Sequence, residues 1–161
     1  MEMNNFGPLM NSLKRGLTSY ISYMATCSMS EVYSEYLLYE PALRILMTKN
    51  CEIYCEFGCD GLSTSECGDK KRIDFVGVRN ENQFAIELKW AKSKKPNFSG
   101  DIEKLVWFKE NYFNPSSYLC VFGRMTELEG MLIPPNFRES GKPVYSDLGL
   151  TKYGCRIFVL A

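Results

Sequence analysis

Asp74, Glu87 and Lys89 stand in two short apolar runs, Arg72-Ile73-Asp74-Phe75-Val76 and Ala85-Ile86-Glu87-Leu88-Lys89. Their types suit the joint holding of a divalent cation and a phosphate, since carboxylates are hard oxygen ligands and a lysine is a compact positive charge. A lone charge is costly to bury in an apolar strand. Two carboxylates and a lysine in adjacent strands therefore point to one shared purpose.

The spacing supports a common face. Both runs alternate as strands over 72–79 and 83–90, and the polar stretch Arg79-Asn80-Glu81-Asn82-Gln83 between them reads as a hairpin turn. With a loop of two or four residues, opposed positions have numbers summing to 161, so Asp74 faces Glu87. Directly opposed side chains share a face, roughly 5 Å apart at Cβ. Lys89 points the same way as Glu87, and Arg72 faces Lys89. Ile73, Phe75, Phe84, Ile86, Leu88 and Trp90 then form the reverse, core-facing surface. A three-residue loop would mix polar and apolar residues on both faces, so the hydrophobic pattern selects the first register.

The elements that must position this hairpin can be read on either side of it. Leu9, Leu13, Leu17, Ile21 and Met24 recur at helical spacing over 8–25, with Pro8 suited to a first turn. This helix packs on the domain or on a second copy, which leaves a homodimer open. Residues 30–48 form a second helical region, interrupted at Pro41, so a kink or two helices meeting near Glu40 is expected. Alternation over 51–59 predicts a strand with an apolar odd-numbered face, and 60–71 reads as a loop. A helix is expected from Asp101, as its cap, to about Tyr112. Strands are expected over 117–122 and 155–161, with a loop-rich segment at 125–150. The order predicts a mixed α/β sheet covered by helices, with 1–29 as a helical extension and 30–161 as a single domain.

The 161 residues are 45% hydrophobic and 14% aromatic, enough for one core. Acidic and basic residues number 19 each, which argues against indiscriminate coating of nucleic acid but leaves room for a local basic patch. There is no histidine, so Ser-His-Asp and Cys-His catalysis and His-ligated zinc chemistry are excluded. The N-terminus shows no basic segment followed by an apolar run, and no stretch reaches the roughly 20 apolar residues of a membrane span. With seven cysteines, an odd number, the expectation is reduced thiols, a cytoplasmic location and no membrane partner. Cys51, Cys55, Cys59 and Cys67 are spaced too widely for a zinc ribbon. The first three lie on the apolar strand face, so buried thiols are the expectation.

Asp74 followed by Glu87-Leu88-Lys89 resembles the paired acidic and Glu-x-Lys elements of the PD-(D/E)XK nuclease superfamily. The stretch from Ser34 to Leu43 is similar to the opening helix of some members, and Asp101-Ile102-Glu103-Lys104-Leu105 to the start of their second helix. The family's proline is absent, since Ile73 precedes Asp74. The resemblance spans roughly residues 30–123. It implies a restriction-endonuclease-like α/β fold, a mixed sheet flanked by helices, and hydrolysis of DNA with Mg²⁺ or Mn²⁺. Asp74, Glu87 and the Leu88 carbonyl would hold the metal, Lys89 would orient water or stabilise charge, and Glu35 would complete the site. Glu31 and Glu40 are alternatives for that last place. Lys70, Lys71 and Arg72 before the Asp74 strand, and Lys92, Lys94 and Lys95 after the Lys89 strand, would bind the phosphate backbone. A solvent-facing salt-bridge cluster would explain the same charges without chemistry. A silent nuclease-fold protein that binds nucleic acid or a protein, and an unrelated α/β interaction module, are the rival functions.

Overall fold

The computed structural model describes residues 6–27, 34–63, 70–147 and 149–161. Within these residues seven strands form one mixed sheet: β1 (Glu52–Ser63), β2 (Lys70–Arg79), β3 (Asn82–Ala91), β4 (Ser116–Arg124), β5 (Phe137–Glu139), β6 (Val144–Tyr145) and β7 (Tyr153–Leu160). Their spatial order is β1-β2-β3-β4-β7-β5, with β6 also paired to β7. Among the described residues four helices cover it: α1 (Gly7–Thr26), α2 (Tyr39–Met47), α3 (Ser99–Asn111) and the short α4 (Met125–Glu129). The expected single α/β domain, a mixed sheet flanked by helices, is the architecture found.

Local chemistry accounts for the hairpin. Asn80 and Glu81 both take positive φ, 50° and 64°, which makes a two-residue turn whose twist suits antiparallel strands. The β2–β3 pairs, from Arg79↔Asn82 to Phe75↔Ile86, all follow the register chosen from the hydrophobic pattern. Gly77 lies opposite Phe84, and a Cβ there would sit 2.1 Å from the Phe84 ring. Gly77→Ala is expected to overpack this contact and lower stability by about 1–3 kcal/mol. A reduced urea midpoint with unchanged slope would show it, and an unchanged midpoint would mean the ring has room to move.

The sheet separates two apolar layers. On one side Leu9, Leu13, Leu17 and Ile21 of α1 pack with Ala42 and Leu46 of α2 on Phe75, Phe84, Ile86 and Leu88. The helix expected over 8–25 is thus a covering helix of the main core. Its buried Lys14 donates to the carbonyls of Ser140 (2.6 Å) and Lys142 (2.8 Å), which satisfies the ammonium and ties α1 to the chain between β5 and β6. On the other side Leu105 and Phe108 of α3 pack on Ile73, Val76, Ala85, Leu119 and Val121. The crossover through α3 makes β3 and β4 parallel neighbours.

Several expectations need correction. Ile73 belongs to the α3 layer, not to the layer of Phe75. Glu56, opposite this point on β1, has φ 52°, and the β1–β2 pairing passes from Cys55↔Phe75 to Phe57↔Ile73 around it. A left-handed residue inside a strand breaks the two-residue alternation, so Phe57 and Ile73 pack on the side opposite Ile53 and Phe75. Of the three thiols expected on the apolar strand face, Cys55 is exposed, Cys51 half-buried and only Cys59 buried; Cys67 lies outside the described residues. Of the expected loop at 60–71, residues 60–63 belong to β1 and 70–71 to β2, and 64–69 lie outside the described residues. The second helical region does consist of two pieces meeting near Glu40, a 3₁₀ turn, Glu35–Leu38, and α2; residues 30–33 of it lie outside the described residues. Pro41 falls in the first turn of α2, where its missing N–H breaks no bond. The irregular 125–150 segment contains α4, β5 and β6. Arg156 of β7 anchors it by pairing with Glu139 and donating to the Leu128 and Met131 carbonyls.

Candidate active site

Beyond Phe75↔Ile86 the β2–β3 ladder stops, and the next residues are Asp74 and Glu87. Here β2 departs from β3, because the Asp74 side chain takes the place of a backbone acceptor. Its Oδ2 accepts from the Leu88 N–H at 2.7 Å, and its Oδ1 accepts from the Tyr39 hydroxyl. Arg72 pairs with Gly58 of β1. The parting strands open a cleft of about 440 Å³ whose lining includes Glu35, Asp74, Glu87 and Leu88. The 3₁₀ turn brings Glu35 to the end of β3, where its Oε1 accepts from the Trp90 N–H at 3.2 Å.

Five lining residues were not among the sequence candidates: Tyr36, Tyr39, Glu56, Asp101 and Lys104. Lys104 of α3 reaches between the strands and donates to Glu87 Oε2 at 2.6 Å and to the Arg72 carbonyl at 3.1 Å. It also stands 3.4 Å from Asp101 Oδ1. Glu56 enters through the kink of β1, and Tyr39 through its bond to Asp74. The only signal for Lys104 in the letters was its place three residues after Asp101 on a helix, where the two share a face. Asp101 does not cap α3, which has Phe98 at its N-cap. Its carboxylate is taken instead by Lys104 and by Lys89, whose Nζ is 3.1 Å from Oδ2.

The remaining candidates are spread around this centre. Lys89 faces the α3 side and lies 4.0 Å from Glu35 Oε1, but it is not part of the cleft lining. Lys70 and Arg72 do line it. Lys70 pairs with Asp60 at 2.9 Å, and Lys71 with Glu103. Lys92, Lys94 and Lys95 are exposed beyond β3 and do not line the cleft. Lys94 lies over Gly130, at which a Cβ would come within 2.8 Å of its Cδ. Glu40 is exposed and paired with Arg44 on α2, and Glu31 lies outside the described residues.

The electrostatics are not those of a solvated surface pair. Glu87 is 1% exposed, and among the described residues its Oε1 has no hydrogen-bond partner. Burial, and then the neighbouring Asp74 charge, push its carboxyl up to about 9 despite Lys104. Asp74 is also raised, mainly by burial, while its bonds from Tyr39 and Leu88 pull the other way. Burial and Asp74 hold the Tyr39 hydroxyl protonated. For Lys104, burial favours the neutral amine, but Glu87 and Asp101 outweigh it and keep the ammonium.

A pH dependence follows. The folded protein keeps a proton on Glu87 between the ordinary carboxylate value of about 4.5 and about 9, where the unfolded chain has lost it. Its contribution to stability is therefore full below about 4.5 and is lost as pH rises through about 9. Urea midpoints measured without divalent metal should fall between pH 5 and pH 9, and Glu87→Gln should flatten the slope. An equal slope in that variant would place the titrating group elsewhere.

The cleft lining carries five carboxylates, those of residues 35, 56, 74, 87 and 101, against three cations, those of residues 70, 72 and 104. Fully ionised, it has two negative charges in excess. Among the described residues, no three His, Cys, Asp or Glu side chains are grouped as a preformed metal cage. Also among them, no helix is long and apolar enough to cross a membrane. Compared with known proteins, the chain matches no family model, no curated protein and no solved structure.

Proposed function

We propose that this protein is a metal-dependent nuclease of the PD-(D/E)XK type, hydrolysing phosphodiester bonds of DNA in the cytoplasm with Mg²⁺ or Mn²⁺. One observation carries the reading: Glu35 from the helical turn and Asp74 and Glu87 from the parting strands open on one cleft.

The residues fit a divalent cation. When all its carboxylates are ionised the lining carries two negative charges in excess, and Glu87 Oε1, without a hydrogen-bond partner among the described residues, is free to take a cation once the Glu87 proton leaves. Asp74, Glu87 and the Leu88 carbonyl would hold it, as oxygen donors suited to Mg²⁺ or Mn²⁺. Bound there, such an ion would neutralise charge developing on the phosphate and lower the pKa of a water ligand. The chain's own groups do the rest. The Leu88 N–H and the Tyr39 hydroxyl fix the orientation of Asp74. Lys104 places a buried ammonium beside Glu87, where a preorganised cation stabilises negative charge without reorganising. Lys89 holds Asp101, and Glu35 closes the end of β3.

The test is isothermal titration of the protein with Mn²⁺, followed by incubation with supercoiled, linear and single-stranded DNA. Binding should strengthen as pH rises toward 9, because occupation of the site displaces the Glu87 proton. Absence of both a binding isotherm and any cleavage would end the nuclease reading.

A second reading has its own support. Lys104 already neutralises one oxygen of Glu87, and the acidic side chains are not gathered as a cage. That arrangement suits a catalytically silent relative that binds nucleic acid, and DNA binding without cleavage at any metal concentration would favour it.

A further inference from the structure

Tyr36 leaves 76% of its surface in water, although it lines the same cleft as Asp74 and Glu87. Its ring is not loosely tethered. It meets Tyr39 edge to face at 5.5 Å, and Tyr39 meets Phe75 in the same manner at 5.2 Å. A line of three aromatic rings thus runs from the buried core to the rim. The middle ring also donates its hydroxyl to Asp74, so the outer ring is held in register with the acidic centre. Arg72 lines the cleft as well, exposed, and among the described residues its guanidinium has no ion-pair partner.

An exposed aromatic face lining the same cleft as a guanidinium that has no ion-pair partner among the described residues is complementary to one kind of ligand: a flat π-system attached to a phosphate. Stacking on aromatic side chains needs a base whose face is free, whereas bases inside a duplex are covered above and below by their neighbours. From this juxtaposition, and resting on the nuclease reading above, we infer that Tyr36 is a stacking platform for an unpaired nucleotide next to the scissile phosphate, and that the substrate class is single-stranded DNA or a duplex with an unpaired end. Arg72 then engages the backbone phosphate without regard to pairing.

Binding can be measured without cleavage, by fluorescence anisotropy in Ca²⁺ with a labelled oligothymidylate and a labelled blunt-ended duplex of two complementary strands. The wild-type chain should favour the oligothymidylate. Tyr36→Ala should weaken that binding by about ten- to a hundredfold and leave the duplex unaffected, while Tyr36→Trp should retain it. Arg72→Ala should weaken both probes and reduce the salt dependence of each. Since Tyr36 is exposed, loss of folding is not expected in its variants, and circular dichroism would confirm this. Equal affinity of wild type and Tyr36→Ala for the oligothymidylate would overturn the inference, as would tighter duplex binding or binding of neither probe. Failure of the nuclease reading alone looks different: the Tyr36-dependent preference persists, but no DNA is cut.

Discussion

Asp74→Ala should lose Mn²⁺ binding and DNA cleavage together. Changes to groups that merely orient a metal ligand already reduce affinity about 10–100-fold, so removing a ligand itself should exceed that range. The same substitution strips acceptors from the Leu88 N–H and the Tyr39 hydroxyl. An abandoned donor in a part-buried site costs about 1–3 kcal/mol, so a lower urea midpoint should accompany the loss. Asp74→Asn separates the two effects. It keeps the size of the side chain and one acceptor while removing the charge, so stability should largely return and Mn²⁺ binding should not. If Asp74→Asn binds Mn²⁺ as the wild type does, the ion is held elsewhere and the proposed ligand set is wrong.

Lys104→Met should have the second largest effect, and a larger one than Lys89→Met. Lys104 is bonded to the buried Glu87 and lines the cleft, whereas Lys89 lies at its margin against Asp101. A preorganised cation facing a developing negative charge is worth about 10²–10³ in turnover, and a loss of that size is expected for Lys104→Met. Breaking a buried ion pair from one side costs up to about 3–5 kcal/mol. Glu87 can avoid part of this by keeping its proton, so the stability deficit should grow as pH rises through about 9. Mn²⁺ affinity should not fall, because the methionine no longer competes for Glu87. Should Lys89→Met prove the more damaging to turnover, the lysine of the Glu-x-Lys element would be the working one after all.

The contrast between these two lysines shows what a chain read as letters can convey. Lys89 was visible because it shares a strand with Glu87, and two-residue alternation fixes which way each points. Lys104 comes from a helix packed across the strands, and its meeting with Glu87 depends on how α3 crosses the sheet. Glu56 was hidden for a different reason. Its entry into the cleft follows from a left-handed backbone at a glutamate, a conformation that residue type does not announce. The same kink moved Ile73 to the other layer, so one local irregularity accounts for both departures from strict alternation.

The hairpin register, the α1 stripe and the strand–helix–strand crossover were all legible in the amino-acid order. Each rests on periodicity or turn chemistry, which act between residues near in sequence. The parting of β2 from β3 at Asp74, the convergence of Glu35 on their gap, and the buried pairing of Glu87 with Lys104 were not. They arise from contacts between segments separated along the chain, where burial removes water and forces each charge to find whichever partner the packing brings within reach.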